Sequence, residues 1–236
     1  MSSPADSSAA DAWGPWGPDV AAARAEALAQ IPAGAPAGPG LAPRLAALIT
    51  LGCAASATTL DRDGMRAAAE QALAAGATPE EVHEAVVLVA AIGVHALHEG
   101  SRVVAEVLRE RGDPRLTGEP DARAAALLEP ILADPYWQRL EAELPGFLDA
   151  LARLSPDMFE AFREYCAVPW RSGTLRAKEK EMIYLSVDAM PTHRYLPGLR
   201  LHVRNALDRG ATRAEIVDAL DIAAAAGPSR GIPAAG

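Results

Sequence analysis

In the stretch KEKEMIYLSVDAMPTHRYLPGLRLHVRNAL (Lys178 to Leu207), one carboxylate, Glu181, precedes two imidazoles, His193 and His202. A carboxylate that accepts a proton from one ring nitrogen fixes the tautomer and orientation of that ring. The other nitrogen is then free to take or give a proton near neutral pH. The same three residue types also make a two-His, one-carboxylate set able to hold a divalent metal. Both chemistries stay open at this point, beside a plainer one. Glu181 lies in a Lys/Glu run of the kind a solvated surface produces, and either histidine could be a packed or surface ring. Trp170 and Arg171, just upstream in VPWRSG, could wall a pocket and bind a substrate carboxylate. Tyr195 and Arg200 flank the histidines and could do the same. Met182, Leu185 and Leu199 would supply apolar walls. His83, His95 and His98 are expected to serve packing or surface instead.

A helical hairpin can gather such a trio. Glu181 falls early in an amphipathic segment, Leu175 to Met190. His193 sits in the connection, and His202 lies in the next segment, Gly198 to Arg209, between Leu201 and Val203. A third segment, Arg213 to Ala226, keeps apolar residues at helical spacing.

This arrangement has a counterpart earlier in the chain. QALAAGATPEEVHEAVVLVAAIG (Gln71 to Gly93) returns as NALDRGATRAEIVDALDIAAAAG (Asn205 to Gly227), with 210 − 76 = 134 for the glycines and 215 − 81 = 134 for the glutamates. The register extends upstream without a gap, from Ile49 with Ile183 to Arg66 with Arg200. A constant register of this length indicates one helical unit used twice. The earlier stretch has Ala47, Thr59 and Ala68 where the later one has Glu181, His193 and His202. Thr78-Pro79-Glu80-Glu81, and again Thr212 with Glu215, read as capping boxes that start helices. Gly76 and Gly210 read as left-handed helix stops.

Half of the residues are hydrophobic, much of that alanine, and only 5% are aromatic. With few β-branched runs this predicts an all-α fold. Three domains are expected: a flexible N-terminal segment and linker with one short helix over 1–40, a first unit over 41–112 and a second over 120–236. Residues 1 to 18, with Trp13 and Trp16 as docking residues, read as disordered. Helices are expected at Asp19–Gln30, 44–57 and 62–75, then two in succession, one beginning after Thr78 and the next reaching about Arg111, and others at Asp121–Leu132, Tyr136–Leu151 and Pro156–Cys166. Ile31 to Pro43 is too rich in Pro and Gly for regular structure.

A net charge of −9 argues against nucleic acid as a partner. Cys53 and Cys166 have no metal-ligand or CxxC spacing and read as reduced, buried residues. Without a secretory leader, and with apolar runs such as Val86 to Val94 too short to span a bilayer, a cytoplasmic protein with no membrane partner is expected. Phosphate loops, nucleophile elbows and dinucleotide fingerprints are absent from the sequence.

The pattern KEKEMIYLSVDA…GLRLHVRNALDRGATRAEIVDAL resembles the carboxymuconolactone decarboxylase-like proteins, which share a fold with the alkylhydroperoxidase AhpD. The resemblance is close over Leu175 to Gly227 and looser over Arg44 to Gly93, as in a tandem two-domain member. It implies an all-α fold and tight self-association, here as a dimer or trimer of fused repeats. AhpD-type members carry a Glu, then CxxC twelve residues on, then a His. Glu181 and His202 match the Glu and the His; His193 takes the first Cys position (193 − 181 = 12), and Gly198 lies near the second. Lacking both thiols, the chain is not expected to run a disulfide cycle or to act as a thiol peroxidase. The resemblance therefore implies a cofactor-independent lyase, decarboxylase or isomerase acting on a small organic acid or lactone, with Glu181, His193 and His202 as its catalytic residues. The alternatives are a divalent-metal enzyme with those three residues as ligands, and a non-catalytic small-molecule-binding or scaffold oligomer.

Overall fold

The computed structural model describes residues 19–229, and within them the chain is all helix and loop, with no strand. Trp13 and Trp16 lie outside the described residues. The helices are α1 (Val20–Leu28), α2 (Pro43–Ala55), α3 (Arg62–Ala74), α4 (Pro79–Ala90), α5 (Val94–Glu110), α6 (Pro114–Thr117), α7 (Ala122–Leu132), α8 (Pro135–Glu143), α9 (Phe147–Leu154), α10 (Pro156–Ser172), α11 (Ala177–Ala189), α12 (Leu196–Asp208) and α13 (Arg213–Ala225).

The domain boundaries drawn at 41–112 and 120–236 do not coincide with the compact units. One unit joins residues up to Ala90 with those from Ser172 onward, and the other is Ala91–Arg171. The physical reason lies in α11, which is buried on every side from Glu179 to Ala189. A helix with no solvent face needs neighbours all round, and α11 finds them in α2, α4, α12 and α13. Neither helical triplet closes a core alone, so both occupy one unit. Complete burial of Met182, Ile183, Leu185 and Val187 contributes roughly 1.5–3 kcal/mol for each side chain. Gly52 lets α2 approach closely, since a Cβ there would lie 3.1 Å from Ile183 Cγ2.

The helix starts of the two triplets differ by one number: 177 − 43, 196 − 62 and 213 − 79 all equal 134. Gly76 and Gly210 both adopt positive φ, 90° and 82°, and the Thr78–Glu81 and Thr212–Glu215 boxes both form. Thr58 and Thr192, again 134 apart, share a hydroxyl hydrogen bond of 2.8 Å.

The segment expected to be a flexible linker is a strap fixed to α13. Pro36 O accepts from the Arg213 amide at 2.8 Å, Pro39 O from Thr212 Oγ1 at 2.7 Å, and the Leu41 amide donates to Asp218 Oδ2 at 2.8 Å. Its glycines permit this contact: a Cβ at Gly38 would stand 2.3 Å from Thr212 Cγ2, and one at Gly40 2.3 Å from Asp218 Oδ2.

In the other unit, the single helix expected over Tyr136–Leu151 is two, because Pro145-Gly146 breaks it, with Gly146 at φ 79°. The helix read as ending at Cys166 continues to Ser172 through Pro169. His98 is buried there with its ring 4.5 Å from that of Phe147, which is the packing role expected of it. His83 is exposed.

The helical run Pro79–Glu110 is long and apolar enough by length and composition to cross a bilayer, whereas the sequence reading took its apolar stretches as too short. Thirty-nine per cent of its apolar window is buried, and core helices of water-soluble folds pass the same test.

Candidate functional site

Helix α11 begins with the side chain of Glu179 folded back onto the Arg176 amide at 2.8 Å. One turn in, Glu181 is wholly buried. Its Oε2 meets Nδ1 of His202, on α12, at 2.7 Å. A carboxylate accepts only, so Nδ1 carries the proton and Nε2 is the ring nitrogen left to exchange one. Oε1 of Glu181 faces Arg209 Nη1 at 3.3 Å. Tyr184 stacks on the His202 ring, with centroids 4.8 Å apart and planes 20° from parallel. The ring is thus gripped at an edge and a face.

A fourth group stands between the two histidines, and sequence reasoning missed it. Asp188, buried near the end of α11, places Oδ2 3.9 Å from His202 Nε2 and Oδ1 3.8 Å from His193 Nε2. Its signal was its spacing. Glu181, Tyr184 and Asp188 stand at i, i+3 and i+7, which puts them on one helical face. Gly198 makes the space: a Cβ there would lie 2.1 Å from Asp188 Oδ2.

The turn that carries His193 is held by its backbone. The His193 and Arg194 amides both donate to Met190 O at 2.9 Å, and the Tyr195 amide donates to Asp188 O at 2.8 Å. Arg194 takes a positive φ of 48° and pairs with Glu26 of α1 at 2.6 Å.

Burial pushes the His202 imidazolium down, but the hydrogen bond and charge of Glu181, with the charge of Asp188, outweigh it, so its pKa lies above the usual histidine value. Burial pushes the Asp188 carboxyl up to about 7, against the pull of His202. Burial alone lowers His193. Three groups of unlike environment thus titrate beside one another, the condition under which one site holds both an acid and a base. Solvent reaches the cluster through His193 and His202, whose side chains are 15% and 9% exposed, while those of Asp188 and Glu181 are 2% and 0% exposed.

The expected trio is therefore rearranged. Glu181 serves His202, and the carboxylate lying between the two imidazoles belongs to Asp188. Tyr195 lies near His193, with ring centroids 5.9 Å apart. Arg200 is exposed and donates to Gln30 Oε1 at 2.9 Å. Trp170 and Arg171 belong to the other unit, where Arg171 is exposed and pairs with Glu164 at 2.9 Å. Met182, Leu185 and Leu199 are fully buried in the core and line no open wall. Burial pushes both cysteine thiols up to about 12, which suppresses thiolate chemistry.

The sequence pattern of the Carboxymuconolactone decarboxylase family matches residues 156–235. A solved structure from Burkholderia xenovorans LB400, described as a "putative gamma-carboxymuconolactone decarboxylase subunit", is 39% identical. That similarity covers 78% of this chain and 72% of the other, with a TM-score of 0.66. No curated protein matches the chain.

Proposed function

Because the chain belongs to the carboxymuconolactone decarboxylase family, we propose that it is a cofactor-independent lyase or isomerase acting on a small organic acid or lactone by general acid–base chemistry. The observation that carries this reading is the buried 2.7 Å bond between Glu181 Oε2 and His202 Nδ1. It fixes which nitrogen of the ring reacts. In this reading His202 Nε2 takes a proton from carbon beside a carbonyl, and the C–H electron pair moves into the enolate. The same proton then returns to a different carbon in an isomerisation. In a decarboxylation the breaking C–C bond leaves its electrons on the enolate carbon, and the imidazolium protonates it as CO2 departs. Glu181 stabilises the imidazolium, and His193 provides a second proton-carrying ring at the more open end.

The test uses small carboxylated lactones and β-keto acids, with CO2 release and double-bond migration as readouts. Turnover by the native protein with a loss of 10²-fold or more in His202→Ala supports the reading. Undiminished turnover in that variant overturns it. So does stoichiometric metal in the purified protein that disappears in a His193→Ala/His202→Ala double variant.

A further inference from the structure

We propose that Asp188 is a positioning residue that couples the two imidazoles, so that a proton leaving His202 Nε2 reaches His193 Nε2 through a single carboxyl group. Glu181 Oε2 takes one end of the His202 ring at 2.7 Å. Asp188 Oδ2 faces its other end at 3.9 Å, and Oδ1 of the same carboxyl faces His193 at 3.8 Å. Carboxylate, imidazole, carboxylate and imidazole thus follow one another in alternation, and the last ring is the one most open to solvent. The two gaps are about 1 Å beyond hydrogen-bond range. Contacts of this kind commonly tighten when a substrate binds.

The transfer balances. With a proton on Oδ1, the carboxyl takes the His202 Nε2 proton on Oδ2 and releases the Oδ1 proton to the lone pair of His193 Nε2. Asp188 ends as it began, with one proton, and His202 is returned as a base.

Three further features fit this role. Gly198 leaves the space that the carboxylate fills, and the Tyr195 amide anchors the Asp188 carbonyl at 2.8 Å. The charged side chains on the helices packed around α11 are engaged at its other end: Arg44 with Glu81 and Glu179, Lys180 with Glu84, and Lys178 with Glu215. On α12, Arg209 faces Glu181; on α1, Arg24 pairs with Asp221 of α13 and Glu26 holds Arg194.

The catalytic consequence rests on the acid–base reading above, but the coupling itself needs no substrate to be measured. In protein labelled with 15N-histidine and titrated by NMR, His193 and His202 should respond to each other's protonation, each resonance shifting at both midpoints. In Asp188→Asn the two should titrate separately, with the His202 midpoint falling by about one pH unit as a nearby negative charge is lost. Glu181→Gln, which leaves Asp188 in place, should move the His202 midpoint, and the matching step in the His193 curve should move with it. An unaltered His193 curve in Asp188→Asn overturns the proposal. If that variant does not fold, the native protein decides alone: independent single-step curves for the two rings overturn the coupling, and linked curves support it. Linked rings in a protein inactive on every lactone tested would refute the lyase reading and leave the coupling standing.

Discussion

The hairpins α2–α3 and α11–α12 have the same bounds at an offset of 134, and only one of them buries carboxylate and imidazole side chains. Where α11–α12 has Glu181, Tyr184, Asp188, His193, His202 and Arg209, α2–α3 has Ala47, Thr50, Ala54, Thr59, Ala68 and Ala75. Both keep the glycine that opens the second helix, Gly64 or Gly198, and both take up a left-handed residue in the turn, Leu60 or Arg194. The hairpin therefore forms from its caps, its turn and its small apolar contacts. The ionisable groups are an addition that the scaffold tolerates, not something it requires.

Substitutions can break this comparison or sharpen it. The largest effect is expected from His202→Ala, which makes α12 resemble α3: turnover should fall roughly 10²–10⁴-fold, while circular dichroism still reports a folded helical protein. The converse change, Ala54→Asp, buries a carboxylate in the hairpin that has no imidazole to meet it. It should cost about 3 kcal/mol at pH 8 in urea unfolding, and less at pH 4, where the group binds a proton.

The pH dependence of stability comes next. The Asp188 pKa is raised from 3.8 to about 7 in the folded state, so the folded protein holds a proton there that the unfolded chain releases. Its stabilisation is complete below pH 4 and is lost as pH rises toward 7. His202, also raised, adds stability below its ordinary value of 6.5 that is lost as pH rises through its folded value. His193, lowered, acts in the opposite direction, its contribution being lost as pH falls. Asp188→Asn should therefore gain on the native protein between pH 4 and 7 in a series of urea titrations; parallel curves would contradict this.

The glycines separate the hairpins more gently. Gly198→Ala drives a Cβ into the Asp188 carboxylate and should lower turnover about tenfold or more. At Gly64 the clashing atom is Asp61 Oδ2, at 2.5 Å, the end of an exposed capping side chain that can swing aside. Gly64→Ala should cost less than about 1 kcal/mol, since the lost cap is partly offset by better helix propensity. The smallest change is expected from Thr58→Val, which removes the hydroxyl pair with Thr192 and should cost about 1 kcal/mol or less.

Much of this was legible in the chain. The alanine content, the threonine–glutamate boxes and Gly76 and Gly210 specify helices and their ends locally, and those features formed as read. Glu181 and His202 were legible because hairpin geometry brings early and late positions together. Asp188 went unread although its spacing puts it on the Glu181 face, because spacing alone does not show that this end of the face meets both imidazoles. Arg200 was misplaced for the opposite reason. Residues two apart on a helix do not face the same way, so closeness to His202 in sequence put it on the opposite side. The boundaries at 112 and 120 failed because compactness follows the burial of α11, whose partners lie on both sides of the intervening segment.

The strap over α13, with Glu26 on Arg194 and Gln30 on Arg200, makes the first described helix a splint for the turn between α11 and α12. Trimming the protein ahead of residue 31 would leave the hydrophobic interior of the hairpins closed but would slacken the bend on which His193 rides. Crippled chemistry in a well-folded, shortened protein would be the mark of that splint.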